Sequence, residues 1–212
     1  MRGDSLLGKV LFFRIAYVFL WIMFIVARFV PSRNVPTVRR SRKERIKAML
    51  QEGMYVFLCI VLATYGNLIV GALYLLNPPW IVWSYLFLPL EIRTVGLFLS
   101  IVSLPYVYWV GRTLANYYSF TVEVQKDHKL ITTGPYRRVR HPLYAATLLF
   151  LVGQMLLADN WLFLLILFLM IPGLYIRIEK EEQMLIEEFG DEYRAYIKRT
   201  GRLFPHFRQE KE

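Results

Sequence analysis

The chain of 212 residues is poor in the residues on which several protein classes depend: it has one cysteine, three histidines and no G-x-G sequence. A single cysteine excludes a scaffold of intramolecular disulfides. So few cysteines and histidines make a structural zinc module unfavourable, and we predict no metal site. The missing G-x-G removes the usual sign of a glycine-rich nucleotide loop. Acidic residues are also scarce, with 16 against 26 Lys and Arg and a net charge of +10. Such an excess suits nucleic acid or a membrane surface.

Long apolar runs are what the chain has in quantity, and hydrophobic residues make up 56% of it. A helix that crosses a bilayer needs about 20 consecutive apolar residues. The runs predict a single all-α integral membrane domain with five transmembrane helices. The predicted spans are 10–30, 54–76, 94–111, 143–157 and 160–178. The sequence Ala158-Asp159-Asn160 marks the junction of the last two, which therefore form a tight helical hairpin.

The apolar stretch 77–90 is treated separately because Pro78, Pro79 and Pro89 interrupt it. It is rich in Trp and Tyr, which favour the membrane interface. We interpret it as an interfacial loop or half-helix, and a sixth span is the competing interpretation.

The position of the basic residues indicates the orientation. Twenty-one of the 26 Lys and Arg lie in three regions: 31–53, 112–142 and the tail from Arg177. The positive-inside rule places these regions in the cytoplasm and, with five spans, the N-terminus outside. No aromatic-basic stripe or nucleic-acid motif accompanies the charge, so the expected partners are membrane lipids and not nucleic acid. The expected location is a cell inner membrane or an ER-type membrane.

Two predicted cytoplasmic segments, 112–142 and 179–212, carry the residues that suit chemistry. In the first, Gly134-Pro135 marks a turn, and Pro142 suits the first turn of a helix. A helix that begins at His141-Pro142 presents free N–H groups that bind carboxylates and phosphates. The alternative is a basic loop that only orients the fourth span.

Arg177 and Glu181 are four residues apart on the predicted extension of the fifth span, and so share one helix face. They form either an ordinary i,i+4 ion pair or a site in which Arg177 binds an anionic group bidentately. Farther on, Gly190-Asp191 predicts a helix end followed by a new N-cap.

The combination of HKLITTGPYRRVRHPLY, a hydrophobic hairpin and RIEKEEQMLIEEFGDEYRAYIKRTGRLFP resembles the isoprenylcysteine carboxyl methyltransferase family, and more closely its short prokaryotic integral-membrane members. The resemblance covers residues 119–205. It implies a cytoplasmic S-adenosylmethionine pocket formed by the loop after span 3, the start of span 4 and the C-terminal helices. It also implies a lipophilic substrate, of which a prenylcysteine-type carboxylate is the expected example.

The resemblance assigns individual roles by motif. Glu181 faces the cofactor and Arg177 the substrate, and these two are the expected catalytic residues. The implied cofactor-binding set is Gln125, His128, Lys129, Leu130, Ile131, Tyr136, His141, Pro142, Leu143, Tyr144 and Glu181. Gln125 stands at a shorter spacing from His128 than the corresponding Gln of eukaryotic members.

Three alternatives remain at this point. A phospholipid or other small-lipid N-methyltransferase would use a Glu pair such as Glu181-Glu182, but the missing G-x-G counts against it. A non-catalytic lipid-binding protein would use the basic cluster between Arg39 and Lys47. A membrane reductase would require a nicotinamide cofactor.

Overall fold

The computed structural model describes residues 2–32, 53–114 and 130–206, and the regular secondary structure in these ranges is helical. No β-strand forms there, and only isolated bridges join Tyr85 to Asn160 and Val139 to Gly201. The all-α prediction is therefore confirmed. The α-helices are α1 (Arg2–Phe29), α2 (Met54–Leu76), α3 (Leu90–Leu114), α4 (Pro142–Ala158), α5 (Trp161–Phe189) and α6 (Asp191–Arg199).

Four of these helices, α1, α2, α3 and α5, are long and apolar enough to cross a membrane. Their apolar side chains are largely exposed, as expected of helices that face lipid. The predicted fourth span corresponds to α4, which is apolar but has only 17 residues. At 1.5 Å per residue it is roughly 25 Å long, somewhat less than the hydrocarbon thickness of a bilayer.

Helices α3 and α4 approach each other closely because small residues line their contact. A Cβ atom built on Gly96 would lie 2.6 Å from the backbone nitrogen of Leu157 and 2.7 Å from the carbonyl oxygen of Gly153. Beside these glycines, the Gln154 side chain donates to Ser100 Oγ at 3.0 Å. Small residues and interhelical hydrogen bonds are the usual basis of helix association in membranes.

The tight hairpin predicted between the last two apolar runs is present between α4 and α5. Asp159 adopts a left-handed conformation with φ 57°, and the Asn160 side chain caps α5 by accepting from the backbone N–H of Leu162 at 3.0 Å. Asn160 also donates to Ser84 Oγ at 2.7 Å. Ser84 ends the short 3-10 helix Pro79–Ser84, the only helix between α2 and α3. The stretch 77–90 thus contains a short helical turn docked on the hairpin, and not a sixth spanning helix.

The predicted break after Phe189 is also present, with one correction. Gly190 has φ 54° and separates α5 from α6, whereas Asp191 is the first residue of α6 and makes no side-chain cap. Tyr193 and Tyr196 of α6 are buried. The C-terminal helix therefore packs back onto the rest of the protein at the end of the bundle where α4 begins.

We expect Gly96→Ala to destabilise the protein by about 1–3 kcal/mol, because the added methyl group collides with backbone atoms that have no space to move. Gly8→Ala is the matched control, since nothing lies within 4 Å of a Cβ built there. Thermal unfolding of both variants in detergent measures the effect. Equal unfolding temperatures for the two would contradict the close contact between α3 and α4.

Candidate functional site

The segment that leads into α4 is held in place by the segment that follows α6. The backbone N–H of Arg140 donates to Gly201 O at 2.8 Å, and that of His141 donates to Arg202 O at 3.0 Å. In return, the N–H of Gly201 donates to Arg138 O at 3.0 Å. This parallel pairing brings residues some 60 positions apart to one place and fixes the start of α4.

The turn before this segment is formed by the short 3-10 helix Gly134–Arg137, in which Gly134 has φ 59°. The Tyr196 hydroxyl of α6 donates to the carbonyl oxygen of Tyr136 at 2.6 Å. Burial raises the pKa of the Tyr136 hydroxyl, so this side chain is a neutral phenol at physiological pH.

His141 precedes the first residue of α4, Pro142, and points at two adjacent carboxylates of α5. Its Nδ1 lies 3.4 Å from Glu181 Oε2, and its Nε2 lies 3.2 Å from Glu182 Oε1. Burial by itself lowers the pKa of His141, but its hydrogen bonds to Glu181 and Glu182 outweigh burial and raise it. The imidazole is therefore held between two carboxylate acceptors, and these favour its protonated form.

Glu181 connects His141 to the other side of the site. Its Oε1 accepts a hydrogen bond from the Tyr144 hydroxyl and lies 3.2 Å from Arg177 Nε. Arg177 Nε also donates to the Tyr144 hydroxyl at 2.8 Å. The two side chains predicted to share a face of α5 do so, and both are largely buried, with 15% and 20% of their side chains exposed. The i,i+4 ion pair that was one of the two interpretations is therefore present, although it is shielded from solvent and does not lie on the surface.

Glu182 differs from Glu181 in its partners, because the arginines that neutralise its charge come from outside α5. Arg140 Nε lies 2.8 Å from its Oε1, and Arg202 Nη2 lies 2.7 Å from its Oε2. Arg140 also donates to the carbonyl oxygens of Ile197 and Thr200 at the end of α6. Burial raises the pKa of Glu182, but the hydrogen bonds from His141, Arg202 and Arg140 lower it to about 2. The carboxylate thus joins α4, α5 and the C-terminal segment.

Of the predicted site residues, the structure brings together Tyr136, His141, Tyr144, Arg177 and Glu181. Pro142 and Leu143 form the first turn of α4, as predicted. Leu130 and Ile131 are partly buried in the extended segment before the Gly134 turn. Three further predicted residues, Gln125, His128 and Lys129, lie outside the described residues.

Sequence reasoning missed Arg140 and Arg202 as members of the site, and it considered Glu182 only as part of the Glu pair of the N-methyltransferase alternative. Arg140 belongs to the motif HKLITTGPYRRVRHPLY and to the basic residues that indicate orientation, but it was given no role in the site, and no spacing pattern links it to Glu182, 42 positions later. Arg28 was missed as well: this residue of the last turn of α1 lies within electrostatic range of Tyr136 and Tyr144. Within the described ranges, no three His, Cys, Asp or Glu side chains are grouped to hold a metal ion.

Comparison with known proteins places this site inside a recognised family region. Residues 94–187 match the isoprenylcysteine carboxyl methyltransferase (ICMT) family. The match begins at α3 and ends in α5, so it includes every described predicted site residue. The resemblance expected from the motifs is therefore confirmed for this region.

The relatives have two kinds of name. The protein-S-isoprenylcysteine O-methyltransferase of Schizosaccharomyces pombe is 37% identical over 81 residues, which are 38% of this chain and 34% of the relative. That of Saccharomyces cerevisiae is 37% identical over 92 residues, 42% and 38% of the two chains. The nickel-cobalt-cadmium resistance protein NccN of Alcaligenes xylosoxydans xylosoxydans is 31% identical over 96 residues, 45% and 44% of the two chains. The chain spans less than half the length of these curated relatives.

Glu182→Gln should remove about 3–5 kcal/mol of stability near neutral pH, because it leaves the buried Arg140 and the partly exposed Arg202 without their carboxylate. The pKa of Glu182 is lowered from 4.5 to about 2. Its contribution is therefore complete above pH 4.5 and is lost as the pH falls toward 2. As the pH is lowered from 6 to 3 in detergent, the unfolding temperature should fall for the unmodified protein and change less for E182Q. The exposed Glu187→Gln serves as control, and an acid dependence equally steep in E182Q would contradict this role.

Proposed function

We propose, from the family match of residues 94–187, that this protein is a membrane methyltransferase that uses S-adenosylmethionine. Its acceptor is the carboxylate of a lipophilic, prenylcysteine-type substrate at the cytoplasmic membrane face. The observation that carries the proposal is the buried cluster of Tyr144, Arg177, Glu181 and His141, which lies inside the matched region. The names of the S-isoprenylcysteine methyltransferase relatives support the same reaction class.

The chemistry of the cluster suits the proposed cofactor. S-adenosylmethionine combines a cationic sulfonium, an ammonium, a carboxylate, a ribose and an adenine, and when bound it supplies an electrophilic methyl group. Glu181 offers a carboxylate for the ammonium or the ribose hydroxyls, and the rings of Tyr136 and Tyr144 offer faces for adenine and the cation. The first turn of α4 presents N–H groups for the carboxylate, and His128 is a predicted second donor to it. Gln125, His128 and Lys129 remain predicted members of this set.

Arg177 is the proposed substrate residue because of its place on α5. It directly follows the apolar part of the helix and is held on one side by Tyr144 and Glu181. A guanidinium held in this way orients a substrate carboxylate by charge-assisted hydrogen bonds. The acceptor is already ionised at neutral pH and needs no general base. Catalysis then rests mostly on positioning of the two reactants.

The membrane environment accounts for where the site is placed. The helices expose apolar side chains to lipid, so a prenylated substrate can reach the end of α5 from within the bilayer. The basic regions of the sequence favour a cytoplasmic position for this end of the bundle and an outside position for the N-terminus. Glu182 is engaged by two arginines, which counts against the Glu181-Glu182 pair acting together as in a phospholipid N-methyltransferase.

Arg177→Ala should lower kcat/KM for an S-farnesylated N-acetylcysteine by about 100-fold or more, because the carboxylate loses its orienting partner. Binding of S-adenosylmethionine, followed by calorimetry in detergent, should change little. Arg177→Lys should recover only a small part of the activity, since Lys lacks the planar fork. The exposed Arg194→Ala is the matched control. Loss of cofactor binding in R177A would contradict the assignment of Arg177 to the substrate.

Glu181→Gln should instead weaken S-adenosylmethionine binding about tenfold or more, because a neutral amide replaces the carboxylate that faces a cationic ligand. Calorimetry measures the affinity, and Glu187→Gln controls for a general loss of negative charge on α5. The acceptor atom is tested with labelled cofactor and two substrates, the farnesylated cysteine and its C-terminal amide. Transfer to the amide, or to phosphatidylethanolamine alone, would contradict a carboxylate acceptor.

A further inference from the structure

A second polar cluster lies at the end of the bundle opposite Arg177, where α2 ends and α3 begins. Its members are Arg14 of α1, Tyr74 of α2 and Arg93 of α3. Helix α4 shows that the two clusters are at opposite ends: His141 precedes its first residue, whereas the carbonyl oxygen of Leu157, near its last residue, accepts from Arg93 Nε at 3.1 Å.

The position of Arg14 is energetically unfavourable, because a charged side chain there interrupts the apolar stretch Gly8–Phe29 of a candidate spanning helix. Its Nε atom is buried and has no hydrogen-bond partner, and its guanidinium carbon lies 5.9 Å from the centre of the Tyr74 ring. A charged group in such surroundings normally pairs with an opposite charge or reaches a polar ligand.

Tyr74 presents a second unsatisfied group at the same place. Only 3% of this residue is exposed, and its hydroxyl has no hydrogen-bond partner. Arg14 and Arg93 both lie within electrostatic range of that hydroxyl, and Arg93 approaches it as a donor without reaching hydrogen-bond geometry. A buried hydroxyl without a partner costs stability, so a residue that keeps one invites an explanation by a ligand.

Arg93 is the third member of the cluster and adds a second positive charge to that of Arg14. Its guanidinium carbon lies 4.1 Å from the centre of the Phe13 ring, next to Arg14 in the chain. In the described parts of the chain, neither Arg14 nor Arg93 forms an ion pair with a carboxylate. The nearby Asp159 interacts electrostatically with Arg93, but its Oδ1 accepts from the backbone N–H of Leu88 at 2.9 Å. The cluster therefore has two positive charges and an excess of donors.

We propose that Arg14, Tyr74 and Arg93 form a binding site for a phosphate group, supplied by the headgroup of a membrane lipid. A phosphate oxyanion accepts several hydrogen bonds and balances two guanidinium charges, which is what this donor set lacks. Tyr74 and Arg93 lie close to the adjoining ends of α2 and α3, the level at which headgroups meet a membrane protein, and Arg14 reaches that level by its long side chain. The site is separate from the proposed methyl-transfer site and does not depend on it.

Thermal shifts of the delipidated full chain in a nonionic detergent at low salt test the proposal. The probes are phosphatidylglycerol, a diacylglycerol with the same acyl chains and inorganic phosphate. We expect a concentration-dependent rise in unfolding temperature with phosphatidylglycerol and none with diacylglycerol. If inorganic phosphate gives the same variant-sensitive rise, the site is supported and its ligand comes from solution. A rise with diacylglycerol equal to that with phosphatidylglycerol would overturn the proposal.

Tyr74→Phe separates binding from folding, because it removes only the hydroxyl. Without lipid its unfolding temperature should equal or exceed that of the unmodified protein, since an unsatisfied buried group is gone. Its apparent affinity for phosphatidylglycerol should nevertheless fall about tenfold.

Arg93→Gln should cause a similar or larger loss of affinity. Arg112→Gln, at the other end of α3, is the matched control and should respond to the lipid as the unmodified protein does. Arg14→Gln is informative if it remains monodisperse; otherwise Tyr74→Phe and Arg93→Gln decide. Unchanged affinity in both of these variants would overturn the proposal.

Discussion

The structure depends on two adjacent carboxylates that face different partners. Glu181 and Glu182 follow each other on α5 and approach the two ring nitrogens of one histidine, His141. Beyond the histidine they diverge: Glu181 contacts Tyr144 and Arg177, whereas Glu182 is bound by arginines from before α4 and after α6. Glu181 therefore takes part in the candidate site. Glu182 holds α5 to the segment before α4 and to the segment after α6. A buried charge is tolerable only when fully paired, so this network tolerates few changes.

The apolar part of the fold positions these charges. Glycines on α3 and α4 let the two helices approach at backbone distance, and the Asp159-Asn160 turn returns the chain directly into α5. Because α4 and α5 are joined by so short a turn, the start of α4 and the far part of α5 are held side by side. His141 and Glu181 meet there although 40 residues separate them. Packing inside the membrane thus determines the geometry of the polar site at its edge.

Much of this could be predicted from sequence because membranes constrain sequences strongly. Long apolar runs predict helices, since backbone polar groups must be satisfied within the segment. Pro142 marked the start of α4 because proline is favoured in the first turn of a helix, where its missing N–H has no intrahelical partner to lose. The i,i+4 spacing of Arg177 and Glu181 placed them on one face of a helix. By contrast, nothing in the spacing indicated that Arg202 pairs with Glu182, since that contact requires α6 to fold back onto α5.

The sequence by itself determined the all-helical architecture, the identity of the motif residues and the family likeness of residues 94–187. These follow from local properties: apolar length, helix periodicity and short motifs along the chain. The tertiary structure alone decided which charges are paired, that Glu182 holds the C-terminal segment while Glu181 faces Tyr144 and Arg177, and that Arg14 and Arg93 flank Tyr74. The physical reason is that ion pairs and unsatisfied groups depend on distances between elements, which arise only when the helices pack.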